Sequence, residues 1–170
     1  MKFAPGKWLQ KRTARPKRFL FLIFALLVSA VSVQADECRR GSVQLRGDWG
    51  QARFAVAVAD TDRSRARGLM YRRSMAPTEG MLFVYKQPGP VAFWMKNTLI
   101  PLDMIFVDQN GVVQMVHPMA RPHDETPIFG GQSIKFVLEI NGGIAASLGI
   151  DAGSQMRHPA IVAQGAAWPC

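Results

Sequence analysis

Asn110-Gly111 lies between two apolar runs, residues 102–108 and 112–118, and no other feature restricts the fold as tightly. Both residues tolerate the positive φ that a two-residue β-hairpin turn needs at its centre. A turn there sets Phe106 opposite Met115 and Met104 opposite His117. The chain must therefore build at least one antiparallel pair at this point. Weaker signals of the same kind recur on both sides. Residues 42–46 and 52–59 alternate apolar with polar, and Gly47, Asp48 and Gly50 mark a turn between them. Residues 81–86 and 91–97 read as strands around Gln87-Pro88-Gly89-Pro90, and residues 133–140 and 154–162 as two more. Asp60 or Thr61 is placed to cap a short helix running to about Met70. A second short helix is expected from Asn141 to Gly149. Residues 118–132 carry Pro118, Pro122, Pro127, Gly130 and Gly131 and read as a long connection, a candidate lid. The pattern predicts a mainly β chain: a two-layer, β-sandwich-like single domain with one or two short helices.

Charge divides the chain in two. The sequence has 170 residues and a formal net charge of +9. Seven of its 21 basic residues precede residue 36, where no acidic residue occurs. The remainder carries 14 basic against 12 acidic side chains and is close to neutral. The high pI is therefore a property of the leader, and the domain lacks the electrostatic footprint that phosphate binding requires. The leader itself has the grammar of a secretory signal. A basic stretch precedes the apolar run Phe19-Leu20-Phe21-Leu22-Ile23-Phe24-Ala25-Leu26-Leu27-Val28, and Val33-Gln34-Ala35 supplies small residues for cleavage. Residues 1–35 are expected to be a signal peptide and residues 36–170 a single β-rich domain, periplasmic or secreted. The competing expectation is an uncleaved anchor, the one route by which this chain would meet a membrane. An oxidising compartment favours a disulfide between the two cysteines, Cys38 and Cys170, over a pair of free thiols.

Candidate chemistry concentrates in residues 93–103, Phe-Trp-Met-Lys-Asn-Thr-Leu-Ile-Pro-Leu-Asp. On a strand, Val91, Phe93 and Met95 face one way and Trp94 and Lys96 the other. Trp94 beside Lys96 makes a flat apolar platform with a cation at its rim, Asn97 adds a donor and an acceptor, and Asp103 opens the next strand. Trp94, Lys96, Asn97 and Asp103 form the candidate ligand-binding set. The structural alternative is a clasp in which Lys96 and Asp103 form an ion pair, Asn97 braces the turn and Trp94 fills the core.

Three other constellations bear on function. Glu139 sits in the apolar run Phe136-Val137-Leu138-Glu139-Ile140, where it either faces solvent or is buried; near Asp103 it would share acid/base work. Met104, Met115, His117 and Met119 share one sheet face if the hairpin register holds, and thioether with imidazole suits cuprous ion. Methionine as core filler explains the same residues without a metal. His123 and His158 stand alone and are expected at the surface. No nucleophile elbow, phosphate loop or metal-ligand spacing occurs, so no catalytic motif, metal or cofactor is expected.

Val56-Ala57-Val58-Ala59, Arg67-Gly68-Leu69-Met70, Glu79-Gly80-Met81-Leu82-Phe83, the Trp94 segment, Asp103-Met104-Ile105-Phe106 and Val137-Leu138-Glu139 follow one another in an order and spacing that resembles the domain-of-unknown-function 192 family. The resemblance spans roughly residues 52 to 160. It implies a mainly β, sandwich-like fold, and no established activity, cofactor or catalytic residue. The leading expectation is an exported, non-catalytic small-ligand-binding or accessory module whose partner is a small molecule or a protein, not a nucleic acid. The alternatives are an enzyme using Asp103 or Glu139 as acid/base and a periplasmic copper-binding protein acting through the Met/His face.

Overall fold

The computed structural model describes Met1 and residues 38–170. The expected signal segment and its cleavage site lie outside the described residues, apart from Met1. Seven strands and two short helices follow in the order β1 (Ser42–Gly47), β2 (Gly50–Ala59), α1 (Asp62–Arg67), β3 (Glu79–Phe93), β4 (Leu102–Val107), β5 (Val113–Ala120), β6 (Ile128–Asn141), α2 (Ile144–Leu148) and β7 (Gln155–Arg157). All strands join one sheet in the order β5-β4-β6-β3-β2-β1-β7. Only β2 and β3 pair in parallel, and the chain between them makes the necessary crossover through α1. The sheet curls until its two ends meet. Val112 bridges Gln155, the Val113 amide donates to the Ser154 carbonyl at 2.8 Å, and the Met156 amide to the Gly111 carbonyl at 2.7 Å. The architecture is mainly β as expected, and its layers are opposite parts of this single curled sheet.

Alternation along the strands produces two cores, one on each face of the sheet. Leu45, Phe54, Leu82, Ile105, Phe136 and Leu138 belong to the first, into which α2 sets Ala145. Phe83, Met95, Met104, Phe106, Ile134 and Val137 belong to the second. The central strand β6 feeds both. That is why residues 136–140 read as an unbroken apolar run rather than an alternating one.

The hairpin has the expected register, with Met104 opposite His117 and Phe106 opposite Met115. Its turn is built differently. Only Gly111 adopts a positive φ, at +84°. Asp108 holds the loop by accepting from the Asn110 and Val112 amides at 2.8 and 3.0 Å. A register shift between Phe106 and Val107 absorbs the longer loop.

Two readings of breaker residues are corrected. Gln87-Pro88-Gly89-Pro90 is not a turn but an irregularity inside the fifteen-residue strand β3, where the pairing with β6 shifts between Val84 and Gly89 and again before Val91. A bulge releases residues from the ladder, so the missing proline donors cost nothing there. The long connection also shrinks, because β5 runs on to Ala120 and β6 begins at Ile128, leaving residues 121–127 as the loop. Pro118 is tolerated because β5 ends the strand order. Gly130 is a strand residue on which the Phe106 ring rests, and a Cβ built there would lie 1.9 Å from that ring. Glycine marked close packing, not a loop. β7 is likewise shorter than expected, and the chain after Arg157 turns away from the sheet.

Candidate functional site

A cleft of about 420 Å³ opens between α1, β3 and the Trp94 segment, with Glu139 of β6 among its lining residues. Thr61 starts α1 with a reciprocal cap: its hydroxyl accepts from the Ser64 amide at 3.1 Å while the Ser64 hydroxyl accepts from the Thr61 amide at 3.0 Å. Gly68, at φ +47°, ends the helix and turns Leu69 into the core. β3 supplies Phe83 and Tyr85 and, beyond the bulge, Phe93. The Phe93 ring packs edge-on against Phe83 at 4.9 Å and against Phe106 at 6.0 Å, which fixes the aromatic wall. Trp94 is half exposed and borders the same opening.

Glu139 is the unusual member. It is 4% exposed and lies in register between Met81 of β3 and Met104 of β4, so its strand neighbours offer no polar group from their side chains. Among the described residues no donor forms a hydrogen bond with its carboxyl group. Burial pushes its pKa up to about 8, so the group is neutral at pH 7. Tyr85 is also raised, mainly by burial; Arg65 opposes the shift and Glu139 adds to it. Arg65 is fully engaged. It pairs with Asp62, donates to the Val84 carbonyl at 2.8 Å and lies 5.2 Å from the Tyr85 ring centre.

The structure distributes the expected site residues over different places. Lys96 lies 5.5 Å from the Trp94 ring centre and 3.6 Å from Glu125, so the cation does border the indole. Asn97 sits in the turn at φ +55°, and its carbonyl accepts from the Tyr71 amide at 2.8 Å. Asp103 is elsewhere. It is wholly buried, and its Oδ1 accepts from the Met119 and Gly143 amides at 2.8 and 2.9 Å while Oδ2 accepts from Ala145 at 2.8 Å. The ion pair of Lys96 with Asp103 is therefore replaced: Lys96 pairs with Glu125, and Asp103 ties β4 to β5 and to the start of α2. The reason is that β3 ends at Phe93. Residues after it leave the sheet, and the Met95 amide bonds the Asp124 carbonyl at 2.7 Å.

Asp103 and Glu139 do not share acid/base work either. Paired residues point to the same face, and Asp103 pairs with Ile140 whereas Glu139 pairs with Met104. The two carboxyl groups thus occupy opposite faces of the sheet. The Met/His set keeps to one side of the β4–β5 pair, where Met115 packs against the core that holds Met104, but its members differ in burial. Met104 is fully buried in the second core, while Met115, His117 and Met119 line a separate open cleft together with Phe129. No group of three or more His, Cys, Asp or Glu that could hold a metal occurs among the described residues. His158, expected at the surface, is buried: its Nε2 lies 2.8 Å from the Arg40 carbonyl and its Nδ1 accepts from Ala160 at 3.1 Å. Cys38 and Cys170 are joined by a disulfide.

Sequence reasoning singled out Trp94 and Glu139 but not their neighbours Phe83, Tyr85 and Arg65. The alternation of Phe83 with Tyr85 was visible. What was missing was the pairing of β3 with β6, which crosses more than fifty residues of sequence and sets Glu139 behind them.

A curled seven-stranded sheet with an aromatic cleft beside its first helix defines a small mainly β domain of recurrent type. The chain belongs to the domain-of-unknown-function 192 family, described as "Uncharacterized ACR", whose profile matches residues 43–158. A crystal structure of a protein of unknown function from Novosphingobium aromaticivorans DSM 12444 is 42% identical, with a TM-score of 0.67 over 68% of this chain and 82% of that one. Another, from Sinorhizobium meliloti 1021 and named as a candidate transcription regulator, is 38% identical, with a TM-score of 0.67 over 71% of this chain and 94% of that one. No curated protein matches the chain.

Proposed function

We propose that this is an exported binding module whose cleft takes a small, mostly apolar molecule, with Glu139 as the polar contact at its inner end. The observation that carries this reading is the pairing of an aromatic wall, Phe83, Phe93 and Trp94, with one buried carboxyl group that has no hydrogen-bond partner among the described residues. An unpartnered buried polar group costs stability, and folds that keep one commonly use it. The cleft volume is in the range of small-molecule sites. Export is supported by the order of the leader's segments and by the disulfide. The name of the Sinorhizobium relative is not adopted as an activity, because residues 36–170 are nearly neutral overall, with 14 basic against 12 acidic side chains.

The test is a ligand-observed NMR screen of small aromatic and alkyl compounds, followed by titration of the isotopically labelled domain. Binders should shift the Trp94 indole resonance and the amides of α1, and Trp94→Ala should weaken them about tenfold while leaving the fold intact, since half of that side chain is in solvent. Binders that all map to other surfaces would remove the cleft from consideration.

A second reading has its own observation. A carboxyl group that titrates near neutrality inside a cleft is suited to proton transfer, so Glu139 would serve as a general acid or base. Asp103 takes no part in it, since three amides occupy its oxygens on the other face. Loss of turnover with retained ligand affinity in Glu139→Gln would select this reading over simple binding.

A further inference from the structure

We propose that the ligand of this cleft is an organic ammonium: an aryl or alkyl amine whose apolar body lies against Phe83, Phe93 and Trp94 and whose charged nitrogen meets Glu139. This rests on the binding reading above and names the chemistry that the site selects.

The first argument is an inventory of donors and acceptors. The polar side chains lining the cleft are Arg65, Arg67, Tyr85, Thr98 and Glu139. Arg65 is taken up by Asp62, the Val84 carbonyl and the Tyr85 ring. The Thr98 hydroxyl donates to the Lys96 carbonyl at 3.3 Å. Arg67 is an exposed residue at the end of α1, and among the described residues it makes no hydrogen bond to Glu139. Glu139 is the group left with acceptor oxygens uncommitted, so the vacancy at the inner end calls for a donor. An anion would set further acceptors against the Glu139 oxygens.

The second argument concerns the walls. Phe83, Tyr85, Phe93 and Trp94 present aromatic rings, and ring faces attract cations most strongly where water is excluded. Arg65 near Tyr85 and Lys96 near Trp94 show that two of these rings already attract cations. Both native cations have an acidic partner, Asp62 and Glu125, which limits their repulsion of a third. An apolar wall alone would accept any hydrophobic molecule. A wall of ring faces ending in a carboxyl group discriminates by charge.

Binding carries a proton signature. Empty, the cleft holds Glu139 as the neutral acid, because burial disfavours its charged form. An arriving ammonium supplies the counter-charge, so the carboxyl releases its proton to solvent as the pair forms. The ligand keeps all its own protons, and no bond other than the carboxyl O–H is broken. Affinity must then rise with pH until Glu139 is already ionised in the free protein. The charged and titratable groups around it are Arg65 and Arg67 of α1, Tyr85 of β3 and, further along β6, Lys135. Burial raises the Tyr85 hydroxyl further from that range, so the slope is assigned to Glu139. Asp103 lies on the opposite face.

Three probes of matched size decide the matter: phenethylamine, phenethyl alcohol and hydrocinnamate. Each is titrated into the disulfide-intact domain by calorimetry at about pH 6.5 and about pH 8.5, in two buffers of different ionisation enthalpy. Phenethylamine should bind about tenfold more tightly than the alcohol at the higher pH and weaken at the lower, where its binding should release close to one proton, falling well below one at the higher pH. Hydrocinnamate should bind most weakly. Glu139→Gln should leave a folded protein that binds amine and alcohol alike with no pH slope. Tighter binding of the alcohol or the acid, or an amine preference that survives Glu139→Gln, would overturn the ammonium assignment and leave the cleft standing. Failure of all three probes to bind would overturn the cleft and the ligand class together.

Discussion

At the scale of single residues, Asp103 and Glu139 are two buried carboxyl groups with opposite surroundings. Asp103 accepts three backbone amides on two oxygens, from Met119, Gly143 and Ala145. Removing it leaves three amides without their acceptor, that of Ala145 in a buried bond and the other two in part-buried ones, each at a cost of roughly 1–3 kcal/mol where water does not replace it. Asp103→Ala should therefore destabilise the domain by at least about 3 kcal/mol, lowering Tm by about 10 °C, with α2 and the end of β5 the first to lose hydrogen-exchange protection. A calorimetric scan showing an unchanged Tm would refute the clasp. Glu139 has no such support, and its effect on stability has the opposite sign to that of an ordinary paired carboxylate. Its folded pKa of about 8 exceeds the unfolded value of 4.5, so the native state holds a proton that the unfolded chain gives up between those limits. Its contribution is greatest below pH 4.5, declines as pH rises and levels off above pH 8. Urea unfolding of wild type and Glu139→Gln should show the variant gaining on wild type across that window, by on the order of a few kcal/mol at its alkaline end. Parallel pH profiles would show that Glu139 is not the buried acid described here. Glu139 was legible as unusual from its apolar strand, and Asp103 as a polar residue opening the strand after the Trp94 segment. Their separation was not, because it depends on which residues pair across β4 and β6, and a shift of one position would have put them on the same face.

At the scale of elements, the strands that alternate cleanly were legible and those broken by proline and glycine were not. The hairpin register followed from Asn110-Gly111 even though the turn itself has a different form, because a bulge compensates for the added loop residue. β3 was cut in two at Gln87-Pro88-Gly89-Pro90, since local composition does not reveal that a partner strand holds both halves in one ladder. Gly130 was read as part of a connection for the same reason: the Phe106 ring that needs its bare Cα is distant in sequence. Gly130→Ala should accordingly displace that ring and destabilise by about 1–3 kcal/mol, as overpacked cores do, and the Phe93–Phe106 contact should loosen with it. Denaturant midpoints measure the first effect and aromatic NOEs the second; a neutral substitution would mean that the ring has room to retreat. The Trp94 segment was half legible. Its mix of aromatic and polar residues pointed to the cleft, but Asn97 and Lys96 brace the turn and the 121–127 loop rather than line the opening.

At the scale of the whole molecule, the curled sheet brings β7 against the β4–β5 hairpin, and the disulfide joins the two limits of the described chain. The Cα atoms of Cys38 and Cys170 are 5.6 Å apart, within the ordinary span of such a bond, across a sequence separation of 132 residues. Closing so long a loop in the unfolded chain favours the native state by about 5 kcal/mol on the chain-entropy account, before strain is subtracted. Reduction, or Cys38→Ser, should lower the unfolding free energy by about 3–5 kcal/mol with little change in the cleft, which lies on other strands. Equal midpoints for oxidised and reduced protein would show that the ends hold without the bond. The bond also makes the domain a covalent ring. A protease that cuts one peptide bond anywhere between Cys38 and Cys170 opens that ring without dividing the molecule, and the two pieces part only when a reductant arrives.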